Sequence, residues 1–210
     1  MIVLSHRGYW KDAAERNQVI AFERSFSLGF GTETDIRDYN GNLVISHDIA
    51  DENCISVDVF FDMYNSFDNT LPLALNIKSD GLQIKLKELI GQYKIENYFV
   101  FDMSVPDGIQ YLNNNIKSFT RQSEFETDPS FYGASQGVWL DEFNGHWVNR
   151  SVIKGHIKNN KRICIVSPEL HKRNYQYEWK SYKEIEQLIG VNSIMICTDY
   201  PEEARRYFYG

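Results

Sequence analysis

Proline is scarce, five in 210 residues, and no Ser/Gly-rich stretch or low-complexity tract interrupts the chain. A chain of this length without a linker predicts about one large domain, long enough to bury a sizeable core. No apolar run approaches 18 residues, and the opening MIVLSHRG has no basic segment followed by an apolar core. Neither a transmembrane helix nor a secretory signal is therefore expected. Basic residues are outnumbered, 22 Lys and Arg against 29 Asp and Glu, for a net charge of −7. That balance argues against nucleic acid as a main partner, because phosphate backbones require a basic face. Cysteine is limited to Cys54, Cys164 and Cys197, an odd and widely spaced set. It argues against a disulfide framework or a zinc site, and for buried thiols in a reducing compartment; a cytoplasmic protein is expected. What the chain does have is apolar bulk, 42% hydrophobic and 14% aromatic residues, the composition of a globular fold.

Short apolar or β-branched runs alternate with helical patterns along the whole length. The runs are IVLSH (2–6), GTETDIR (31–37), LALNIK (73–78), YFVFDM (98–103), SFTRQSE (118–124), GVWLDEF (137–143), RICIVSPE (162–169) and SIMICTD (193–199). Between them lie helical candidates at 17–29, 56–67, 81–93, 106–116, 149–160 and 179–190, with a short last helix at 201–208. In 81–93, Leu82, Leu86, Leu89 and Ile90 share one face, and Ser79 and Asp80 stand where they can cap the first turn. Residues 125–136 are too short and turn-rich for a full helix and are expected to be a loop or a single turn. Eight strands alternating with helices predict a parallel sheet with right-handed crossovers, closing as a minimal (β/α)8 TIM barrel spanning 1–210 as a single compact domain; an open doubly wound sheet is the competing architecture.

In such a barrel the chemistry sits at the C-terminal ends of the strands. Those ends carry His6 and Arg7, Glu33 and Asp35, Asn76 and Lys78, Asp102, Glu124, Asp141, Glu169 and Asp199, a pattern that predicts a ring of charge around one cavity mouth. Glu33 and Asp35 are two residues apart and point to the same side of a strand. Two inward carboxylates cost several kcal/mol in desolvation and repulsion unless a cation lies between them. Oxygen-only ligands favour one divalent cation, Mg²⁺ or Ca²⁺, with Asn76 adding an amide oxygen; the competing reading is a Lys78–carboxylate ion pair without metal. Asn40-Gly41 signals a hairpin, so that LVISHD returns as a short strand bringing His47 toward the end that holds His6. Two histidines beside a metal and a lysine suit acid–base chemistry on a phosphate ester, one taking a proton from the attacking oxygen and the other giving one to the leaving oxygen. Arg7, Lys78 and the metal balance the phosphoryl charge. His146, His156 and His171 are read as structural.

The ordered set HRG (6–8), Asn17 followed by Ala21-Phe22, ETD (33–35), LVISHD (43–48), LNIK (75–78) and ICTDYP (196–201) resembles the glycerophosphodiester phosphodiesterase family along nearly the whole chain. The resemblance implies a (β/α)8 barrel that splits a small-molecule phosphodiester such as glycerophosphocholine with a divalent ion and two histidines. It implies His6 and His47 as the acid–base pair, Arg7 as phosphate contact, Glu33 and Asp35 as metal ligands and Lys78 as substrate contact. In that family a neighbouring substrate hydroxyl is thought able to attack phosphorus, giving a cyclic phosphate that water then opens. The chain departs from the family pattern in three places, one being that it lacks the long insertion many relatives carry after the second histidine, residues 49–72 being taken by a short turn and one helix. Asn76 stands where the family has a third acidic ligand, making Asp102 and Glu124 candidates for the missing charge, and RNQ (16–18) stands for the family's ENT, with Glu15 adjacent. Trp139 and Trp147 fit either a sugar or polyol headgroup or packing. Two further readings are a lyase that stops at the cyclic phosphate and a barrel that binds phosphate ligands without catalysis.

Overall fold

In the computed structural model, which describes residues 1–189 and 194–210, β1 (Ile2–His6) leads through a 3-10 turn at Ala13–Glu15 to α1 (Val19–Ser27), and β2 (Gly31–Tyr39) folds back into β3 (Asn42–Ile45). There follow α2 (Val57–Asn65), β4 (Leu73–Ile77), α3 (Gln83–Gln92), β5 (Tyr98–Phe101), α4 (Val105–Asn113), β6 (Phe119–Gln122) and β7 (Gly137–Leu140). The chain ends with α5 (Arg150–Lys158), β8 (Arg162–Val166), a 3-10 turn at Pro168–His171, α6 (Gln176–Ile189), β9 (Ile194–Thr198) and α7 (Pro201–Tyr209). Gly190 and Ser193, the expected last residue of one helix and first of one strand, lie outside the described residues. Two compact units divide the chain: Ser5–Ser118, and Met1–Leu4 with Phe119–Gly210.

In the Ser5–Ser118 unit, β4 lies parallel between β2 and β5, with Asp35 opposite Asn76 and Asn76 opposite Phe101. β3 pairs antiparallel with β2 through Asn40 and Gly41, both at positive φ (47° and 76°), as the hairpin signal requires. The expected return strand is shorter than LVISHD: it stops at Ile45, so that His47 belongs to a loop. α1 buries Ala21, Phe22, Ser25 and Phe26, positions spaced to share one helix face. Phe22 meets Phe60 edge to face at 4.7 Å, and Phe61, Tyr64, Leu75 and Leu86 continue the same buried core. Each such side chain contributes about 1.5–3 kcal/mol of burial. α3 begins at Gln83 without a side-chain cap. The expected caps are engaged elsewhere, because Ser79 donates to Asp38 and Asp80 accepts from Ser104.

In the other unit β6, β7, β8 and β9 run parallel in that order. Only glycine fits at 137, where a Cβ would stand 2.3 Å from the Phe119 ring. Trp179, Tyr182 and Ile185 of α6 and Phe208 of α7 are buried, the Trp179 and Phe208 rings lying 5.5 Å apart. The strand order is β5-β4-β2-β1-β9-β8-β7-β6, with β3 on β2, and Val100 of β5 makes a parallel bridge to Ser118, the residue before β6. Eight parallel strands in this order, with a helix after every one but β6, make a (β/α)8 TIM barrel, as the alternation predicted. The missing helix falls at 125–136, where none was expected.

Candidate active site

The site is built within the Ser5–Ser118 unit, and its first element is a sharp turn. β1 ends at His6, and the next two residues take positive φ, 57° at Arg7 and 79° at Gly8. Gly8 is required twice over: its φ suits glycine, and a Cβ there would stand 2.8 Å from the Cβ of Ala21. The turn aims the Arg7 N–H at Glu33, whose carbonyl oxygen (2.9 Å) and Oε2 (3.2 Å) both accept it. The Arg7 carbonyl in turn accepts the N–H of Asn17 at 3.0 Å.

Asn17, buried and at φ 58°, holds the next carboxylate. Its Oδ1 accepts from the Thr34 hydroxyl at 2.9 Å, which fixes the amide so that Nδ2 donates to Asp35 Oδ2 at 2.8 Å. Arg7 Nε lies 3.0 Å from the same oxygen. No role for Asn17 is expected from the sequence; as an asparagine it tolerates the left-handed conformation that this position takes.

The β2–β4 register sets Asn76 beside Asp35, and Asn76 Nδ2 donates to Glu33 Oε1 at 3.1 Å. His6 Nε2 is 3.9 Å from Glu33 Oε2. Lys78 Nζ lies 3.6 Å from Asp35 Oδ1 and 3.3 Å from Asp102 Oδ2, Asp102 itself being at φ 71°. Burial, and then the charge of Asp35, push the Glu33 carboxyl up to about 7, with His6, Arg7 and Lys78 pulling the other way. The structure thus gathers His6, Arg7, Glu33, Asp35, Asn76 and Lys78. His47 stands apart. Its side chain is 44% exposed and pairs with Asp48, although the preceding Ser46 donates its N–H to the Asp35 carbonyl at 3.0 Å.

Among the described residues no group of three or more His, Cys, Asp or Glu side chains is set to hold a metal. The donor set nevertheless fits a hard cation. Asp35 Oδ1 and Asn76 Oδ1 are both buried and without a hydrogen-bond partner, and they come from register neighbours. With Glu33 they form an all-oxygen set, the chemistry that Mg²⁺ or Ca²⁺ takes. The ion pairs of Lys78 with Asp35 and Asp102 are present as well. Asp102, a candidate for the missing charge, is thus engaged with Lys78. Glu124, the other candidate, accepts the backbone N–H groups of Phe143, Asn144 and Gly145.

The remaining charged strand ends find partners of their own. In the other unit Asp141 bonds His171, and Glu169 accepts from Ser167, Thr198 and the Asp199 N–H. Glu142, which sequence reasoning passed over, is fully buried and accepts from the backbone of Trp147 and Val148, from Tyr182 and from His146. His156 bridges Tyr132 and Gln122. Trp139 is buried, and Trp147 donates to the Asp141 carbonyl.

No family model matches the sequence, and neither does any curated protein. Solved structures do share its fold. A glycerophosphodiester phosphodiesterase from Agrobacterium tumefaciens superposes with a TM-score of 0.72 at 13% identity, over the whole of both chains. A phosphodiesterase from Oleispira antarctica, solved in complex with the product sn-glycerol-3-phosphate, gives 0.71 at 11%, covering all of this chain and 97% of that one. A Ca²⁺-dependent phosphatidylinositol-specific phospholipase C from Streptomyces antibioticus gives 0.60 at 10%, over 99% and 95% of the two chains. At these identities the likeness establishes the fold.

Proposed function

We propose that the protein is a metal-dependent phosphoric diester hydrolase acting on a glycerophosphodiester or a related polyol or sugar phosphodiester. One observation carries the reading. At the ends of β1, β2 and β4 the chain gathers a histidine, two cations and two buried carboxylates, and leaves two buried oxygens unpartnered, in a fold shared with glycerophosphodiester phosphodiesterases. His6 accepts the proton of the attacking hydroxyl, with Glu33 3.9 Å from its Nε2 to favour the imidazolium that results. His47 gives a proton to the leaving alcohol, and the cyclic phosphate that results is opened by water, which gives its proton to His47 while His6 returns one to the substrate hydroxyl. Arg7 and Lys78 stand against the nonbridging phosphoryl oxygens, turning from Asp35 as substrate enters. Glu33, Asp35 and Asn76 would hold one Mg²⁺ or Ca²⁺, which when bound supplies Lewis-acid stabilisation of phosphoryl charge. Incubating the protein with glycerophosphodiesters, with and without chelator, and identifying products by ³¹P NMR tests this. Cation-dependent appearance of a phosphomonoester is expected; no cleavage of any diester, or cleavage indifferent to chelator, overturns it.

A second reading is a lyase that stops at the cyclic phosphate. The fold likeness to the Ca²⁺-dependent phospholipase C favours it. An accumulating five-membered cyclic phosphate, resolved in the same spectra, distinguishes it from the hydrolase.

A further inference from the structure

Beside the catalytic groups, residues 7–17 form a loop closed at its base by the Asn17 N–H on the Arg7 carbonyl. Within it the guanidinium carbon of Arg16 lies 4.1 Å from the ring centroid of Trp10. The stack leaves two donors, Trp10 Nε1–H and Arg16 Nε–H, buried without a hydrogen-bond partner. A buried N–H lacking an acceptor costs about 1–3 kcal/mol, so two in one stack mark a place for an acceptor that the chain does not provide. The acids of the loop are engaged elsewhere. Glu15 accepts from Arg24 and from the Lys11 N–H, and Asp12 caps Ala14. Among the described residues no carboxylate pairs with Arg16. The guanidinium covers one face of the indole and places a positive charge there, which disfavours a quaternary ammonium beside it.

We propose that the Trp10–Arg16 stack binds an anionic group, a carboxylate or a second phosphate, carried on the alcohol portion of the diester. The substrate class is then a doubly anionic diester and not a choline ester. The inference rests on the phosphodiester reading of the neighbouring site and narrows it.

Binding measured by calorimetry on His6→Ala protein, in which turnover is slowed, tests it with matched ligands. Glycerophosphoglycerate and glycerophosphoglycerol differ only in a carboxylate, glycerophosphoglycerol phosphate adds a phosphate, and glycerophosphocholine adds a cation. At least one of the doubly anionic ligands should bind 10-fold or more tighter than the glycerol and choline esters, and which one does so identifies the anion. Arg16→Gln should bring that ratio within about twofold, and Trp10→Phe, which keeps the platform but removes the N–H, should reduce it partly. The Trp10 indole N–H resonance, assigned by its loss in Trp10→Phe, should shift with the preferred ligand only. Equal binding of all four ligands, binding of none, or a ratio that survives Arg16→Gln overturns the inference. Wild-type hydrolysis is assayed separately. Selective binding without turnover would sink the catalytic reading and leave this one standing.

Discussion

The strand ends of the two units carry similar residues and treat them differently. In the unit of residues 119–210, Glu124, Asp141, Glu142 and Glu169 each find local partners, mostly backbone N–H groups and hydroxyls, and none keeps a buried unpartnered oxygen. In the Ser5–Ser118 unit, Asp35 and Asn76 keep buried oxygens without a hydrogen-bond partner, and Glu33 is desolvated beside another carboxylate. Buried polar groups are normally satisfied, so a strand end that leaves them unsatisfied is prepared for something from outside the chain. Charge at a strand end does not by itself identify a site; a buried oxygen left without a hydrogen bond does.

The sharpest way to break this comparison is to delete one group from each side. His6→Ala should lower kcat by about 10²–10⁴-fold while changing stability little. His47→Ala should lose comparably on a natural diester and be rescued by a nitrophenyl ester, whose leaving group needs no acid. Near-normal turnover by His6→Ala would end its assignment. Glu142→Ala, by contrast, strands the N–H groups of Trp147 and Val148 and the Tyr182 hydroxyl. It should destabilise the fold by about 3–5 kcal/mol in urea unfolding, with kcat per folded molecule preserved. If Glu142→Ala instead keeps its stability and loses activity, the contrast between the two units is wrong.

A smaller effect sharpens the same line. Asn17→Gly keeps the left-handed backbone available and removes only the amide that holds Asp35. Loss of such a support typically weakens metal binding 10–100-fold. Calorimetry with Mg²⁺ or Ca²⁺ should show a loss of about that size, and excess cation should restore kcat. Thr34→Val, which frees the Asn17 amide to flip, should show the same change in weaker form. Unaltered cation affinity in both variants would mean that Arg7 alone suffices to hold Asp35.

Much of this is legible in the sequence. Alternating apolar runs and helical periods are consequences of burial, and they gave the barrel, including the loop at 125–136. Glu33 and Asp35 are legible because a period of two fixes their common side, whereas the approach of Gly8 to Ala21, too close for a Cβ, is seen only in the fold. The role of Asn17 is not legible either, since it depends on a long-range bond to Thr34 and Asp35 that no local pattern encodes. The partners of the other charged strand ends are not legible for the complementary reason. Whether Glu124 or Glu169 faces a ligand or a backbone N–H is decided by the path of the loops at 143–145 and 198–199, and loop paths are not periodic.

The smallest expected effect follows from Glu33, and its sign can be worked out. The carboxyl titrates near 4.5 in an unfolded chain and is pushed up to about 7 in the folded protein, chiefly by burial and then by Asp35. Below pH 4.5 both states are protonated and no penalty exists. Between 4.5 and 7 the folded state holds a proton that the unfolded state has lost, so stability falls as pH rises. Above about 7 the full penalty is present, on the order of 3 kcal/mol as an upper figure. In metal-free protein, Glu33→Gln removes this titration. Urea unfolding of the two proteins in chelator at a series of pH values should therefore show wild type losing about 1–3 kcal/mol relative to Glu33→Gln between pH 4.5 and 8. Parallel pH profiles would mean that Glu33 is charged in the folded chain throughout, already neutralised by His6, Arg7 and Lys78. The strand end would then be as satisfied as its counterparts in the other unit.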